Sequence, residues 1–231
     1  MTTVAEVLDA LRGVRDPELD ESLVELGFVT AVDVRAGGAV DVRLRLPTFF
    51  CAPNFTFLMV DDARRAVAAL PGVHAATVVV EDHFTADEIN AAVAGGAAFT
   101  EAFPGLADDE LNELRTLFQR KALLARQGRV CDALLALGRT PEALAAMALR
   151  DLPAGEDADR CRSLRRDLGL APEPDAPAFV AGDGAPLTVE GLPRFLRVAR
   201  LVALSLEGNS GLCRGLLQTR YDLPESTEVA A

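Results

Sequence analysis

The chain has 231 residues, half of them hydrophobic and a quarter charged, which is long and apolar enough for a buried core divided between two domains and excludes a disordered polymer. Its formal net charge of -12 repels polyanions, so nucleic acid and anionic membrane surfaces are excluded as partners. The segment Met1 to Leu11 carries Glu6 and Asp9 and lacks the pattern of an export signal. Leu192 to Leu206 is interrupted by Pro193, Arg194, Arg197 and Arg200, too polar for a membrane span. A cytoplasmic setting is the expectation. Cys51, Cys131, Cys161 and Cys213 form no C-x-x-C or zinc-ribbon pattern, so free thiols are expected rather than a disulfide frame.

In chain order, Thr3 and Glu6 make a capping box for a helix with Val4, Val7, Leu8 and Leu11 on its apolar face, ended by Gly13. An acidic loop from Asp16 to Gly27 follows. Phe28 to Val34 reads as a strand, turned at Ala36-Gly37-Gly38-Ala39 into a second strand at 40–46, where Val40, Val42, Leu44 and Leu46 alternate with Asp41, Arg43 and Arg45. A loop bracketed by Pro47 and Pro53 leads into a helix over 54–70. Pro71-Gly72 breaks it, and Ala75 to Val80 gives a third strand, apolar on consecutive positions and expected to be covered on both faces. Thr85 and Glu88 make another capping box for a helix through Val93. Beyond Ala107 the pattern is helical throughout, at Asp108–Gln127, Val130–Leu137, Pro141–Leu152, Asp157–Leu168 and Leu192–Leu206, with a last short helix over Arg214–Tyr221 and a frayed tail from Glu225. Gly169 to Pro186 and Glu207 to Gly215 read as loops. The fold class is therefore α+β. A small N-terminal α/β domain (1–95), a hairpin plus a β-α-β unit forming a three-stranded mixed sheet with helices, precedes an all-α domain (96–231).

Chemistry concentrates at Cys51, which sits in the second loop just ahead of a helix. Unpaired N–H groups at a helix N-terminus favour an anion and activate a thiol, so Cys51 is a candidate metal ligand or nucleophile. The β-α-β connection makes strands 40–46 and 75–81 parallel if they share a sheet, and Cys51 and Glu81-Asp82-His83 then follow C-terminal ends on one rim. A thiolate, an imidazole and carboxylates there would suit iron. Against this, Cys51 also reads as an apolar filler, His83 as a surface residue, and Cys131 and Cys161 as core. Phe49, Phe50, Phe55 and Phe57 divide between core and a docking patch, and Cys213 stands in an unusual glycine-rich stretch.

Four pieces of the first 95 residues fall in a shared order and spacing. They are Asp16-Pro17-Glu18, Ser22-Leu23-Val24-Glu25-Leu26-Gly27-Phe28-Val29, Cys51 after the second strand, and Leu70-Pro71-Gly72-Val73. Together they resemble the metal–sulfur cluster assembly family, which includes the bacterial SufT and PaaD proteins and the N-terminal domain of Mrp-type ATPases. The chain departs from that pattern where Ala52 separates Cys51 from Pro53, and where Glu81-Asp82-His83-Phe84 replaces a tryptophan- and proline-rich segment. The resemblance implies a role in maturing iron or iron–sulfur proteins. It makes Cys51, Asp16 and Glu18 the candidate metal-site residues and says nothing of residues beyond about 95; the rim geometry adds His83 as a metal-ligand candidate, and the residue pattern adds Phe49, Phe50 and Cys213 as candidate partner contacts. It also implies a client metalloenzyme or other assembly proteins as partners, by analogy with PaaD a multicomponent non-haem iron oxygenase.

One cysteine cannot hold a cluster that wants four thiolates. Iron or a transient iron–sulfur cluster would need ligands from a second copy in a homodimer, from the client or from a small thiol. An assembly factor is expected rather than an enzyme. The alternatives are a metal-free adaptor in which Cys51 is structural, and a thiol enzyme pairing Cys51 with His83. Phosphate-loop, dinucleotide and di-iron motifs are absent.

Overall fold

The computed structural model describes residues 2–106 and 111–223. Contacts divide the chain into two compact units, Met1–Asn112 with Gly208–Ala231, and Glu113–Glu207.

In the first unit, α1 (Val4–Arg12) begins at the predicted capping box: the Glu6 N–H donates to the Thr3 hydroxyl and the Thr3 N–H to the Glu6 carboxylate. Val7 and Leu11 are fully buried. β1 (Arg15–Asp16) and β2 (Glu21–Ser22) pair antiparallel around a tight acidic turn. β3 (Val29–Arg35), β4 (Ala39–Arg45) and β5 (Ala75–Glu81) form one sheet in the order β3-β4-β5, antiparallel then parallel. This is the mixed three-stranded sheet read from the sequence, with α2 (Pro53–Ala68) as the crossover and α3 (Ala86–Gly95) after β5. The central strand β4 buries Val40, Val42 and Leu44.

Two expectations are corrected here. β5 packs against α2 and α3, and its side chains alternate as in a strand covered on one face: Val78 and Val80 are buried while Ala75 and Thr77 are exposed. Its consecutive valines do not mean cover on both faces. Its outer edge is closed locally by Asn90, whose amide accepts from the Val80 N–H and donates to the Val80 carbonyl. Thr85 is the N-cap residue of α3, but its side chain makes no cap bond; the hydroxyl is 3.1 Å from His83 Nδ1 instead. α4 (Phe99–Ala102) then carries Phe99 into the core, its ring centroid 5.5 Å from that of Phe57.

The second unit is helical: α5 (Asn112–Ala136), α6 (Pro141–Ala145), a 3-10 turn at Leu149–Asp151, α7 (Glu156–Asp167) and the part of α8 (Leu192–Tyr221) up to Glu207. Where the sequence pattern predicts two helices, α5 runs unbroken through Gly128. A Cβ at that position would lie 2.5 Å from Ala199 Cβ, so the glycine serves the approach of α8 rather than a break. The predicted helix over Pro141–Leu152 stops at Ala145. The predicted loop Glu207–Gly215 is helical within α8; its glycines each disfavour helix by roughly 1 kcal/mol, and packing of neighbouring residues overrides that preference. The predicted start at Asp108 and the tail from Glu225 lie outside the described residues.

Leu134, Leu144, Leu164 and Phe179 centre this unit's core. Cys131 and Cys161 are sealed within it, and burial pushes the Cys131 thiol up to about 12. No helix among the described residues is long and apolar enough to cross a membrane.

The long segment between α7 and α8 is held by two buried polar side chains. Arg165, 1% exposed, donates to the carbonyls of Leu170, Ala171 and Pro177 at 3.1, 2.6 and 3.0 Å. Gln127 donates to the Val180 carbonyl and accepts from the Val180 N–H. Replacing the guanidinium leaves three carbonyls without their donor, so Arg165→Met is expected to lower stability by about 2–4 kcal/mol in urea unfolding. A loss under about 0.5 kcal/mol would mean that water takes over those carbonyls.

Candidate functional site

Parallel pairing sets Arg45 opposite Glu81, so the loops that leave β4 and β5 emerge at one rim, as the sequence geometry requires. Two bonds fasten them together. The Phe84 N–H donates to the Phe49 carbonyl at 3.1 Å, and His83 Nε2 lies 2.7 Å from the Cys51 carbonyl. A carbonyl only accepts, so Nε2 carries the proton and Nδ1 is the acceptor, taking the Thr85 N–H at 3.3 Å. Burial lowers the His83 pKa; the bond to the Cys51 carbonyl opposes this and the nearby Arg220 charge adds to it. Both ring nitrogens are engaged, in the donor-and-acceptor pattern of a neutral imidazole. At 5% exposure His83 is not the surface residue that its sequence context suggested. It is a pin for the Cys51 loop.

Cys51 is half-buried, its Sγ 3.3 Å from Thr48 Oγ1. It stands immediately before Ala52, the N-cap of α2, which supplies no side-chain cap. Beside it Phe49, Phe50 and Phe84 are exposed, with ring centroids 5.1 to 6.3 Å apart. Phe57 is buried in the core and Phe55 half-buried.

Asp16 is buried, and its Oδ1 accepts from the N–H groups of Glu18 and Leu19 at 2.8 and 3.1 Å. These bonds shape the Asp-Pro-Glu turn and favour the charged form, but desolvation outweighs them. The carboxyl is raised from 3.8 to about 6, with Glu18 and Glu21 adding repulsion. Glu18 is half-buried in the same turn.

The final turns of α8 belong to this same unit. Ser210, Cys213 and Arg214, Leu217, and Arg220 and Tyr221 recur at helical spacing on one face. Ser210 and Arg214 both donate to the Glu21 carboxylate. Leu217 lies over Gly27, whose positive φ of 74° closes the turn before β3. Arg220 donates to the Leu46 carbonyl at 3.1 Å and to the Asp82 carbonyl at 2.5 Å, joining the ends of the two parallel strands, while the Arg45 guanidinium sits 4.5 Å from the Tyr221 ring centroid. Cys213 is thereby brought near Cys51. Burial pushes its thiol up to about 11, and Asp16, Cys51 and Glu18 add to the rise.

Cys213 thus interacts electrostatically with Cys51, Asp16 and Glu18, and His83 holds the Cys51 loop by its carbonyl. Among the described residues, no three His, Cys, Asp or Glu side chains form a group ready to hold a metal ion. The sequence reading missed Ser210, Arg214, Arg220 and Tyr221. The helical spacing of Ser210 and Arg214 was available as a signal, but Gly208, Gly211 and Gly215 interrupt it and read as a loop.

Residues 4–80 match the family model described as iron-sulfur cluster assembly protein. Over 80 residues the chain is 46% identical to the iron-sulfur cluster carrier protein of Synechocystis sp., a match covering 35% of this chain and 22% of that protein. Over 90 residues it is 34% identical to the uncharacterized protein MJ1129 of Methanocaldococcus jannaschii, covering 39% of this chain and 93% of that protein. The chain thus spans about a fifth of the Synechocystis relative and nearly all of the second. No solved structure matches it.

A raised carboxyl pKa means that between 3.8 and about 6 the folded chain holds a proton that the unfolded chain has lost. The stability this group contributes is full below 3.8 and is lost as pH rises through about 6. Asp16→Asn keeps the Oδ1 acceptor and removes the charge. It is expected to stabilise the protein by on the order of 1–3 kcal/mol near pH 7.5, with little effect near pH 3.5. Chemical denaturation at the two pH values checks this; an equal effect at both would show that the carboxylate is solvated.

Proposed function

Because the chain belongs, through its N-terminal residues, to the iron–sulfur cluster assembly protein family, we propose that it is a maturation factor that helps load iron or an iron–sulfur centre into a client metalloenzyme. The observation that carries this reading is the half-buried Cys51 thiol on the rim, flanked by exposed Phe49, Phe50 and Phe84 and backed by Cys213 and the Asp16 carboxyl. Cys51 would take the metal, losing its thiol proton as it does so. Cys213, Asp16 and Glu18 supply negative or ionisable groups around the arriving cation, and His83 positions the loop. The remaining ligands would come from the client, a second copy or a small thiol. That arrangement suits cargo passed on rather than stored.

The aromatic trio gives the client a place to dock beside the sulfur, since exposed apolar clusters of this kind mark protein contacts. A multicomponent non-haem iron oxygenase is the client class that the sequence resemblance suggests. A second reading, a metal-free adaptor, draws on the absence of a ready metal-holding group among the described residues. In that reading the aromatic trio works alone and Cys51 is packing.

Anaerobic reconstitution with iron and sulfide distinguishes the two. The parent chain is expected to retain iron, Cys51→Ala to lose most of it, and Cys213→Ala to lose part. In cells, a client enzyme is expected to accumulate without metal when Cys51→Ser replaces the parent. Full metallation of every iron enzyme with Cys51→Ser would leave the adaptor, and Phe50→Asp would then be the variant that abolishes function.

A further inference from the structure

The second unit contains a cavity outside the segment matched by the family model. It measures about 450 Å³, within the range of about 300–1,000 Å³ usual for small-molecule sites. One wall is a stripe of α5, where Leu117, Lys121 and Leu124 follow helical spacing; the other is the start of α8, with Arg194, Phe195 and Val198. The floor is the segment around Val180 and Leu187, both buried. Gln127 also lines the cavity, but both ends of its amide are taken by the Val180 backbone, so the floor asks for no hydrogen bonds. At the mouth Leu117 and Val198 are 51% and 44% exposed.

The charge of the lining is one-sided. Among the described residues Arg120, Lys121 and Arg194 contribute to it and no carboxylate does, in a chain of net charge -12. Among the described residues neither Arg120 nor Arg194 pairs with a carboxylate, and Lys121 Nζ rests 4.3 Å from the Phe118 ring centroid. Three exposed cations around an apolar hole match one kind of ligand. Its body must be apolar, and its single polar end must be an anion that the cations receive at the mouth.

We propose that this cavity binds a free monocarboxylate with an extended hydrocarbon body, of the medium-chain fatty acid class. The hydrocarbon lies on Leu124, Phe195 and Val180, and the carboxylate meets Lys121 and Arg194. A helical peptide would need a groove running along the unit, whereas this cavity is closed beneath by Val180 and Leu187. The inference is independent of the iron–sulfur reading.

The test uses the full chain and dodecanoate below its micelle concentration, by titration calorimetry with thermal unfolding alongside. Dodecanoate is expected to bind saturably at one site and to raise the unfolding temperature. Dodecyltrimethylammonium, with the same chain and the opposite charge, is expected to bind at least about tenfold more weakly. The double variant Lys121→Glu and Arg194→Glu should reverse that preference, while Arg139→Glu, away from the cavity, should not. Leu124→Arg should abolish binding with the circular dichroism spectrum retained. Absence of saturable binding, equal binding of the two amphiphiles, or an unchanged preference in the double variant would each overturn the proposal. So would an acidic amphipathic peptide that binds where dodecanoate does not.

Discussion

Parallel pairing of β4 with β5 is the constraint on which the candidate site depends. It forces the two following loops to the same rim, because parallel strands end on the same side of a sheet. The loops then lock through main-chain atoms, the Phe84 N–H on the Phe49 carbonyl and the His83 ring on the Cys51 carbonyl. The position of Cys51 is thus set by backbone geometry and by an imidazole that holds its carbonyl, leaving the side chain free for other work. A histidine suits this post because one ring nitrogen donates while the other accepts, so it reaches a carbonyl on one side and the Thr85 N–H on the other.

Electrostatics around that rim run against the stability of the protein alone. A buried Asp16 raised to about 6 and a Cys213 thiol raised to about 11 are both groups whose charged forms are disfavoured where they sit. The causes are shared: burial first, then the negative charges of Glu18 and Glu21 on one and of Asp16, Glu18 and Cys51 on the other. A cation entering the same neighbourhood reverses the sign of both penalties, since it favours each deprotonated form. Arg214, already paired with Glu21, offsets the rise at Cys213 only in part. Groups strained in this way collect at functional sites more often than in neutral packing.

Local periodicity made the first unit largely legible. The alternation of Val40, Val42 and Leu44 marked β4, the Thr3–Glu6 box marked α1, and the length of the α2 crossover required a parallel return. Legibility failed where a tertiary partner outweighed local preference. Thr85 looked like a cap, but His83 takes its N–H and hydroxyl. Consecutive valines in β5 looked doubly covered, but α2 and α3 pack against it so that burial alternates, and no local pattern encodes where helices pack. Glycine misled twice in the same direction. Gly128 answers to the closeness of Ala199, and the helix continues through Gly208, Gly211 and Gly215, where the Glu21 carboxylate and the surface over Gly27 receive its far end. Asp16, Glu18 and Cys51 could be singled out as candidates from the sequence because they lie in short local motifs. Arg220 could not, since its partners are carbonyls at Leu46 and Asp82, and any residue type presents a carbonyl.

The path of the chain gives the last helix a structural duty at the rim that presents Cys51. The first unit runs to Asn112, the chain departs into the helical unit, and it returns from Gly208 onward. What returns is specific. Arg220 supplies donors to the carbonyls that follow β4 and β5, Arg214 pairs with the Glu21 carboxylate on β2 while Ser210 donates to it, and Cys213 adds a thiol whose charge Asp16 disfavours. The matched segment, residues 4–80, contains none of these groups. A shorter chain ending after α3 would therefore keep the sheet and Cys51 yet leave Glu21 without its cation and the rim carbonyls to water. In this protein the rim that presents Cys51 is built from both ends of the sequence. The residues added beyond the matched segment shape the surroundings of that sulfur, which the matched segment alone would leave more open.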